Sequence, residues 1–517
     1  MTRKGAMPDR IEGHATPEGT RRLAARHGGK DTTAFTCLGS TDLTVGRLGF
    51  GCYRVDDTTS DHRDALELAL ASGCNLIDTS TNYTDGASER LVGAVLGETA
   101  RRDHPVRDEI VVVSKIGYVQ GQNMHLAMER ERAGKPFPEM VRYMDGCWHC
   151  IHPEFLADQL DRSLDRLGLK TLDVCLLHNP EYFLSDAKER GEGGLEERRA
   201  RFYRRLRDAF AFLEEAVGRG TIRFYGVSSN TAVAPPGDPE ATSVERMLQS
   251  AREGAGERHH FRVLQIPMNL FEPGGALTRN TGADGTRTPL EAAVDTRLGV
   301  LLNRPFNAFT GGRMIRLAGP DLPATVVPIE EVTTRLGALE REYAKDLAPK
   351  VRGDGAGEAS AHLFGLAGQI VSAGEEIQDY MQWRQIEEQY ILPRVHYVSG
   401  LLQQDLDPSA RATWSGWWKR YEQAMNDLRA TAGRRAAERG EEALRRIAAS
   451  IDPGLPAGRR GEPLSRKALW TLTSTPGVSA VLVGMRRPAY VRNVLPVLGW
   501  APIADPVRIY ERLRSEA

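Results

Sequence analysis

The sequence predicts an α/β fold, a closed (β/α)8 TIM barrel with a mostly helical insertion after its seventh strand. Three observations lead there. Short apolar runs of strand length recur about eight times, and a helix-period segment follows each. Strands separated by helices pair in parallel, and eight such units suggest a closed barrel. The competing architecture, an open doubly wound sheet, needs a nucleotide-binding glycine loop after an early strand, and no G-x-G-x-x-G occurs in the chain.

The units run in order. "VGRLGFGCY" precedes "DHRDALELALASG", and "NLID" precedes "ASERLVGAVLGE". "EIVVVSK" leads through a long loop to "PEFLADQLDRSLDRLG", and "LDVCLLH" leads to "FYRRLRDAFAFLEEAVGRG". "IRFYGVSS" is followed by "SVERMLQSARE", "FRVLQIPMN" by "TPLEAAVDTRLG". "VLLNRPFN" is the seventh strand, and after a long gap come "PLSRKALWTLTS", "SAVLVGM" and "PAYVRNVLPVLG".

That gap, residues 318–461, is far too long for a loop. It is rich in Arg, Glu and Ala, and "EEIQDYMQWRQIEEQYILPRVHYVSGLLQQ" and "GEEALRRIAAS" have helical periodicity. "VRGDGAGEAS" reads as a flexible turn. The barrel is then expected from residues 1–317 and 462–517. The insertion's rings, Trp383, Tyr390, Tyr397, Trp414, Trp417 and Trp418, need apolar cover. The barrel's open end is the nearest large surface, so the insertion reads as a lid. Packing within its own helices or at a subunit interface is the alternative.

Composition narrows the function. Lys and Arg total 68 against 69 Asp and Glu, which argues for neither nucleic acid nor a membrane surface as partner. No apolar run approaches the ~18 residues needed to span a bilayer. "MTRKGAMPDRIEGHATPEGT" has no apolar core of a secretory leader, so a soluble, cytoplasmic protein is expected. Six cysteines in a chain of this length make no disulfide scaffold. Cys37, Cys52, Cys74 and Cys175 lie in or next to apolar runs and read as small hydrophobes. Cys147 and Cys150 of "CWHC", with His149 and His152, raise a zinc site. Structural zinc normally takes four ligands, usually as two spaced pairs. There is no second CxxC, and His125 is distant, so the segment reads as a loop with two ordinary thiols and no metal.

In a parallel barrel the chemistry sits at the C-terminal ends of several strands. The second strand ends in Asp78, the third in Lys115 and the fourth in His178, and Tyr83 lies on the loop after Asp78. Singly these are a helix cap, a strand-end lysine, a core histidine and a packed ring. Together they deliver Asp, Lys, His and Tyr to one rim.

At this point the sequence resembles the aldo-keto reductase superfamily. The matching pieces are "LGSTDLTVGRLGFGCYR", "LIDTSTNYTDGASERLVGAVLG", "IVVVSKIGY", "LDRSLDRLGLKTLDVCLLHNP", "FLEEAVGRGTIRFYGVSSN" and "VSAVLVGMRRPAYV". The resemblance implies an oxidoreductase that reduces an aldehyde or ketone by hydride transfer, or runs the reverse, with a catalytic tetrad of Asp78, Tyr83, Lys115 and His178. Tyr83 would donate the proton. An adjacent ammonium lowers a phenol's pKa, which is Lys115's expected part. Asp78 would keep Lys115 charged and in place, and His178 would donate a hydrogen bond to the substrate oxygen.

The resemblance also implies a nicotinamide cofactor. Ser228 and Gln265, with Ser229 or Asn230, would hold its carboxamide. Gly51, Cys52 and Tyr53 would line its site, and Gly484, Arg486 and Arg487 would lie near the adenosine phosphates. Two adjacent arginines suit a 2′-phosphate, so NADP(H) is expected over NAD(H). The family's stacking tyrosine after the seventh strand is replaced by Asn303, so that stacking on the nicotinamide must weaken, or Phe306 or another ring must supply it. Tyr118, Trp148, His149 and Tyr182, from segments after Lys115 and His178, are the expected substrate-pocket residues. Two further functions fit the same residues: a cofactor-binding regulatory protein, and a transient-redox sugar epimerase or dehydratase.

Overall fold

Eight parallel strands close on themselves in this computed structural model. It describes residues 10–28, 32–99, 105–282, 285–310, 313–320, 322, 325–351 and 356–516. The strands are β1 Leu48–Gly51, β2 Leu76–Asp78, β3 Val111–Ile116, β4 Leu172–His178, β5 Ile222–Ser228, β6 Phe261–Pro267, β7 Gly299–Asn303 and β8 Ala480–Val483. Each pairs in parallel with the next, and β8 pairs with β1. The helices that follow them are α1 Ser60–Ala71, α2 Ala87–Thr99, α3 Pro153–Leu167, α4 Leu195–Gly218, α5 Val244–Ala255, α6 Pro289–Asp295, α7 Leu464–Ser474 and α8 Pro488–Val494. The fold is a (β/α)8 barrel with a helical addition after β7.

Local chemistry explains the elements. Strands β3 and β4 are buried along their whole length, as parallel strands covered on both faces must be. Helix α3 starts with Pro153 after a capping His152, buries Phe155, Leu156, Leu160, Leu164 and Leu167 along one stripe, and ends at Gly168 in the left-handed region. Gly226 marks an irregularity in the β5–β6 register. A Cβ there would lie 1.7 Å from the Val263 carbonyl oxygen, so only glycine fits.

The barrel interior is filled by Leu76, Val111, Val113, Val174, Leu176, Val263, Leu301, Ala480 and Leu482. Leu38, Leu43 and Val45, in and around a hairpin of Phe35–Cys37 and Thr44–Gly46, pack into the same cluster and plug its N-terminal end. Cys52, Cys74 and Cys175 are buried, but Cys37 is exposed at the edge of that hairpin and is no core residue. Among the described residues no helix is long and apolar enough to cross a membrane.

The chain divides into two units, residues 1–309 with 454–517, and residues 310–453. The second unit compares with the 318–461 read from the sequence. It is built from helices Ile329–Asp346, Ala356–Ala373, Tyr380–Ile386, Leu392–Gln404 and the long Arg411–Ile451, with a wide π turn at Glu387–Ile391. Of the expected flexible turn, residues 352–355 lie outside the described residues, and the chain from Ala356 onward is helix.

The unit has its own core. Trp383, Trp414, Trp417, Tyr421 and Tyr343 are buried in one cluster drawn from its own helices, and Trp418 packs against it. The Trp417 indole donates to the Leu339 carbonyl at 2.8 Å. These rings therefore find their cover inside the unit, and the expectation that they need the barrel as a surface is corrected. Tyr390 and Tyr397 stay 67% and 69% exposed.

One buried acid pins the N-terminal helix, Pro17–His27, to the turn before β3. Glu109 has no exposed side chain; it accepts from Arg22 Nε at 2.8 Å and from both Arg26 terminal nitrogens at 2.6 Å. These partners outweigh burial and hold its carboxyl down at about 2. The stabilisation is full above the ordinary value near 4.5 and is lost as pH falls through about 2. Glu109→Gln should therefore cost about 1–3 kcal/mol at neutral pH. The gap between parent and variant urea midpoints should narrow from pH 6 to pH 3; a constant gap would show that charge plays no part.

Candidate active site

The alternation that fills the barrel also builds its mouth. Side chains two residues apart on a strand share a face. Continuing the inward series from Leu76 gives Asp78, from Val113 gives Lys115, and from Leu176 gives His178. On the other strands the same step from Gly226, Val263 and Leu301 gives Ser228, Gln265 and Asn303. Six strands thus turn one residue each toward the C-terminal opening, and five of the six are buried.

Lys115 is the hub. Its Nζ donates to Asp78 Oδ2 at 2.7 Å, to the Thr79 carbonyl at 2.8 Å and to the Tyr83 hydroxyl at 3.1 Å. Gln265 Nε2 donates to the other Asp78 oxygen at 2.8 Å, and Ser228 Oγ donates to Gln265 Oε1 at 3.0 Å. Tyr83 stands on a turn in which Thr84 and Asp85 take φ of 48° and 51°, in the left-handed region. Two bonds hold the turn: Thr84 Oγ1 donates to the Val55 carbonyl at 2.7 Å, and Asp85 Oδ1 accepts from Gln122 N at 3.0 Å. The His178 ring lies edge-on to Tyr83, centroids 5.9 Å apart, with Nδ1 3.0 Å from Ser80 Oγ. All four residues of the expected tetrad are therefore together.

The electrostatics differ from the sequence expectation at one point. Burial works against the Lys115 ammonium, but Asp78 and then Tyr83 outweigh it and hold lysine above its usual range. Tyr83 was expected to be depressed by Lys115. Burial instead lifts the phenol, Lys115 pulls it down by less, and Asp78 adds to the lift, so the balance is upward. His178 is held well below the usual imidazole range by burial, then by Lys115 and by His149. At neutral pH it carries no charge.

Of the expected pocket residues, three come together. Tyr118 packs edge-on against His178, His149 and Tyr182, with centroids at 4.6, 5.7 and 5.5 Å. Its hydroxyl donates to that of Tyr182 at 2.9 Å and accepts from Asn179 Nδ2 at 2.8 Å. His149 Nε2 lies 2.7 Å from the His178 carbonyl oxygen, and a Cβ on Gly117 would strike that imidazole.

Trp148 does not join them. Cys147–His149 is a strand in a three-stranded antiparallel sheet with Tyr118–Val119 and Val141–Met144, so Trp148 faces away from His149. It sits under the Arg142 guanidinium, 5.0 Å from the ring centroid. Of the thiols of "CWHC", Cys147 lies in this strand and not in a loop, Cys150 lies in the loop just after it, and both are buried. Among the described residues no group of three or more His, Cys, Asp or Glu could hold a metal ion.

The expected cofactor residues divide. Gly51 and Cys52 are buried beside Asp78, and the Cys52 amide donates to the Asp78 carbonyl at 2.9 Å. Tyr53 is exposed and edge-on to Tyr83 at 5.3 Å. Asn303 Oδ1 is buried without a hydrogen-bond partner. The Ser229 hydroxyl is spent on its own turn, accepting from Thr231 N and Ala232 N and meeting Thr242 Oγ1. The Asn230 amide is taken by Glu181 Oε1 at 2.6 Å, and its side-chain oxygen by Arg304 at 3.5 Å. Gly484 is exposed after β8, and Arg486 and Arg487 lie just before α8, with Arg487 Nε 3.6 Å from Asp61.

Sequence reasoning missed several residues here. Tyr143 stacks on Tyr182 at 4.3 Å. Ser80, Asn82 and Gln120 run back from His178 as a chain of hydrogen bonds. Glu181, three residues after His178, ties the loop after β4 to the loop after β5. Only the alternation of "YMDGCWH" about its turn residues signalled the hairpin that brings Tyr143 in.

Glu181 is buried, with Oε2 unpartnered, and burial outweighs its hydrogen bonds and pushes its carboxyl up to about 7 from 4.5. A raised carboxyl stabilises the fold fully below 4.5 and loses that contribution as pH rises through about 7. Glu181→Gln should therefore weaken the fall in stability between pH 5 and pH 7.5. Thermal midpoints at the two pH values check this, and parallel curves for parent and variant would count against the buried acid.

The aldo/keto reductase family model matches residues 47–235. The NADH-specific methylglyoxal reductase of Escherichia coli (strain K12) is 28% identical over 149 residues, 27% of this chain and 40% of that protein. The NADP(+) aldo-keto reductase yakc of Schizosaccharomyces pombe is 25% identical over 195 residues, 37% of this chain and 44% of that protein. A D-threo-aldose 1-dehydrogenase of Pseudomonas sp is 27% identical over 195 residues, 36% of this chain and 51% of that protein. The chain thus spans about two fifths to one half of these curated relatives. Among solved structures, an aldo-keto reductase from Bacillus halodurans covers 93% of this chain and 96% of its own at 14% identity, with a TM-score of 0.46. The matched segment carries β1 to β5, and over that part the chain is similar to the aldo/keto reductase family.

Proposed function

We propose that the chain is an NADP(H)-dependent oxidoreductase that reduces an aldehyde or ketone to an alcohol, with Tyr83 as proton donor. The observation that carries this reading is the buried Lys115 ammonium, held by Asp78 at 2.7 Å and placed 3.1 Å from the Tyr83 hydroxyl. Hydride addition to a carbonyl leaves charge on oxygen, and a positioned acid must supply a proton. A phenol lifted by burial holds its proton at neutral pH, and the ammonium beside it stabilises the phenolate left behind.

The residues fit a nicotinamide cofactor. Asn303 Oδ1, buried at the mouth without a partner, is an acceptor of the kind a carboxamide N–H needs. Asn303 and Ser228 would hold the carboxamide, Gly51, Cys52 and Tyr53 would line the site, and Arg486 and Arg487 would face the adenosine end. When bound, the nicotinamide supplies the hydride. Gln265 keeps Asp78 in place and Glu181 fixes the Asn230 loop. Tyr118, Tyr182, His149 and Tyr143 give the substrate an aromatic wall beside His178. The relatives' names divide between NADH and NADP(+), so the preference for NADP(H) rests on the arginine pair.

Tyr83→Phe should bind NADPH about as well as the parent and lose about 10²–10⁴ in carbonyl reduction. Unchanged turnover would remove Tyr83 from the donor role. Replacing Arg486 and Arg487 together by alanine should weaken NADPH binding far more than NADH binding in fluorescence titrations; equal losses would sink the NADP(H) preference.

A further inference from the structure

Behind His178 runs a chain of polar side chains that hydride transfer does not itself require. Ser80 Oγ lies 3.0 Å from His178 Nδ1 and 2.7 Å from Asn82 Oδ1, Asn82 Nδ2 lies 3.0 Å from Gln120 Oε1, and the Gln120 side chain meets the Cys147 thiol. We propose that Ser80, Asn82 and Gln120 are positioning residues forming a reversible relay that decides which ring nitrogen of His178 carries the proton. This rests on the carbonyl–alcohol reading above and adds to it.

The argument is one of proton bookkeeping. A serine hydroxyl has one proton. With Ser80 donating to Asn82 Oδ1, its strongest acceptor by distance, it must accept Nδ1–H from the neutral His178. His178 Nε2 is then a lone pair, which receives an alcohol O–H but repels a carbonyl oxygen. An amide has nearly the same shape with its oxygen and nitrogen exchanged. Half-turns of the Asn82 and Gln120 amides reverse every bond without moving the chain. Gln120 then donates to Asn82, Asn82 to Ser80, and Ser80 to Nδ1, so that Nε2–H is presented to a carbonyl. The far end tolerates both senses, because the Cys147 thiol is a weak donor and a weak acceptor. The alternative acceptor for Ser80, the Lys115 carbonyl at 3.3 Å, is longer than either relay bond.

Glutamate in place of Gln120 separates this from a merely structural role. Gln120 is only partly buried, so the variant is expected to fold. A carboxylate only accepts, so Gln120→Glu turns Asn82 Nδ2 toward it and locks the relay with the proton on Nδ1. In protein labelled with ¹⁵N-histidine, the His178 resonances of this variant should show the Nδ1–H form alone. Those of Ser80→Ala should move toward the other tautomer or a mixture. Reduction of 4-nitrobenzaldehyde with NADPH should fall about tenfold in kcat in Gln120→Glu, the cost of one hydrogen bond to the reacting oxygen, while the NADPH Kd and the melting temperature stay at the parent's values. A His178 tautomer identical in the parent and both variants overturns the relay. A parent that binds neither nucleotide and reduces no aldehyde overturns the functional reading instead, and the resonances still decide the relay.

Discussion

A lysine ammonium without water around it survives only if all three of its protons are taken, and Lys115 meets that condition through Asp78, the Thr79 carbonyl and Tyr83. Most of the site follows from this one constraint. Parallel pairing sets Asp78 opposite Val113, so Lys115, two residues further along β3, reaches it across a single strand step. The second Asp78 oxygen must also be satisfied, and Gln265 reaches it from the other side of the barrel. Gln265 is in turn held by Ser228. Four strands are thereby tied across the mouth by one ion pair and two hydrogen bonds of the Gln265 side chain. Removing one partner of a buried pair typically costs about 3–5 kcal/mol, so these residues hold the mouth together as well as shaping its chemistry.

The fold was legible because it rests on period and order. Eight apolar runs, each closed by a helix, leave few alternatives, and the strand-end residues Asp78, Lys115 and His178 can be read once the strands are placed. Tyr83 came with them through its spacing in the matched motif. What escaped depends on quantities no local pattern carries. Trp148 and His149 are neighbours in sequence, yet only the pairing of a three-residue strand decides which one faces Tyr118. Glu181 and Asn230 meet across two loops, and nothing in "HNPEYF" announces the meeting. The tyrosine's upward shift is a contest between burial depth and Lys115, and depth is a property of the finished fold.

The insertion shows the same limit from the other side. Its helices were legible from periodicity, but its aromatic residues were not assignable to a surface. Trp414, Trp417 and Tyr421 recur at three- and four-residue spacing on one helix, and that stripe faces Leu336, Leu339 and Tyr343 of the unit's own core. A stripe of rings says that a face is covered without saying by what.

The charge on Lys115 also determines what the other site residues can do. It pulls the Tyr83 phenol toward ionisation while burial holds it back, and the balance keeps the phenol above its usual range. It also works with burial to prevent a second cation nearby, which keeps His178 neutral. A neutral imidazole is chemically two-sided, with one nitrogen donating and the other accepting. A charged one would offer a donor on both sides and need no instruction. The buried lysine therefore creates a requirement that the tetrad itself does not meet: something must choose the side. Ser80, at hydrogen-bond distance from Nδ1 and continued outward by Asn82 and Gln120, is the group in position to do so.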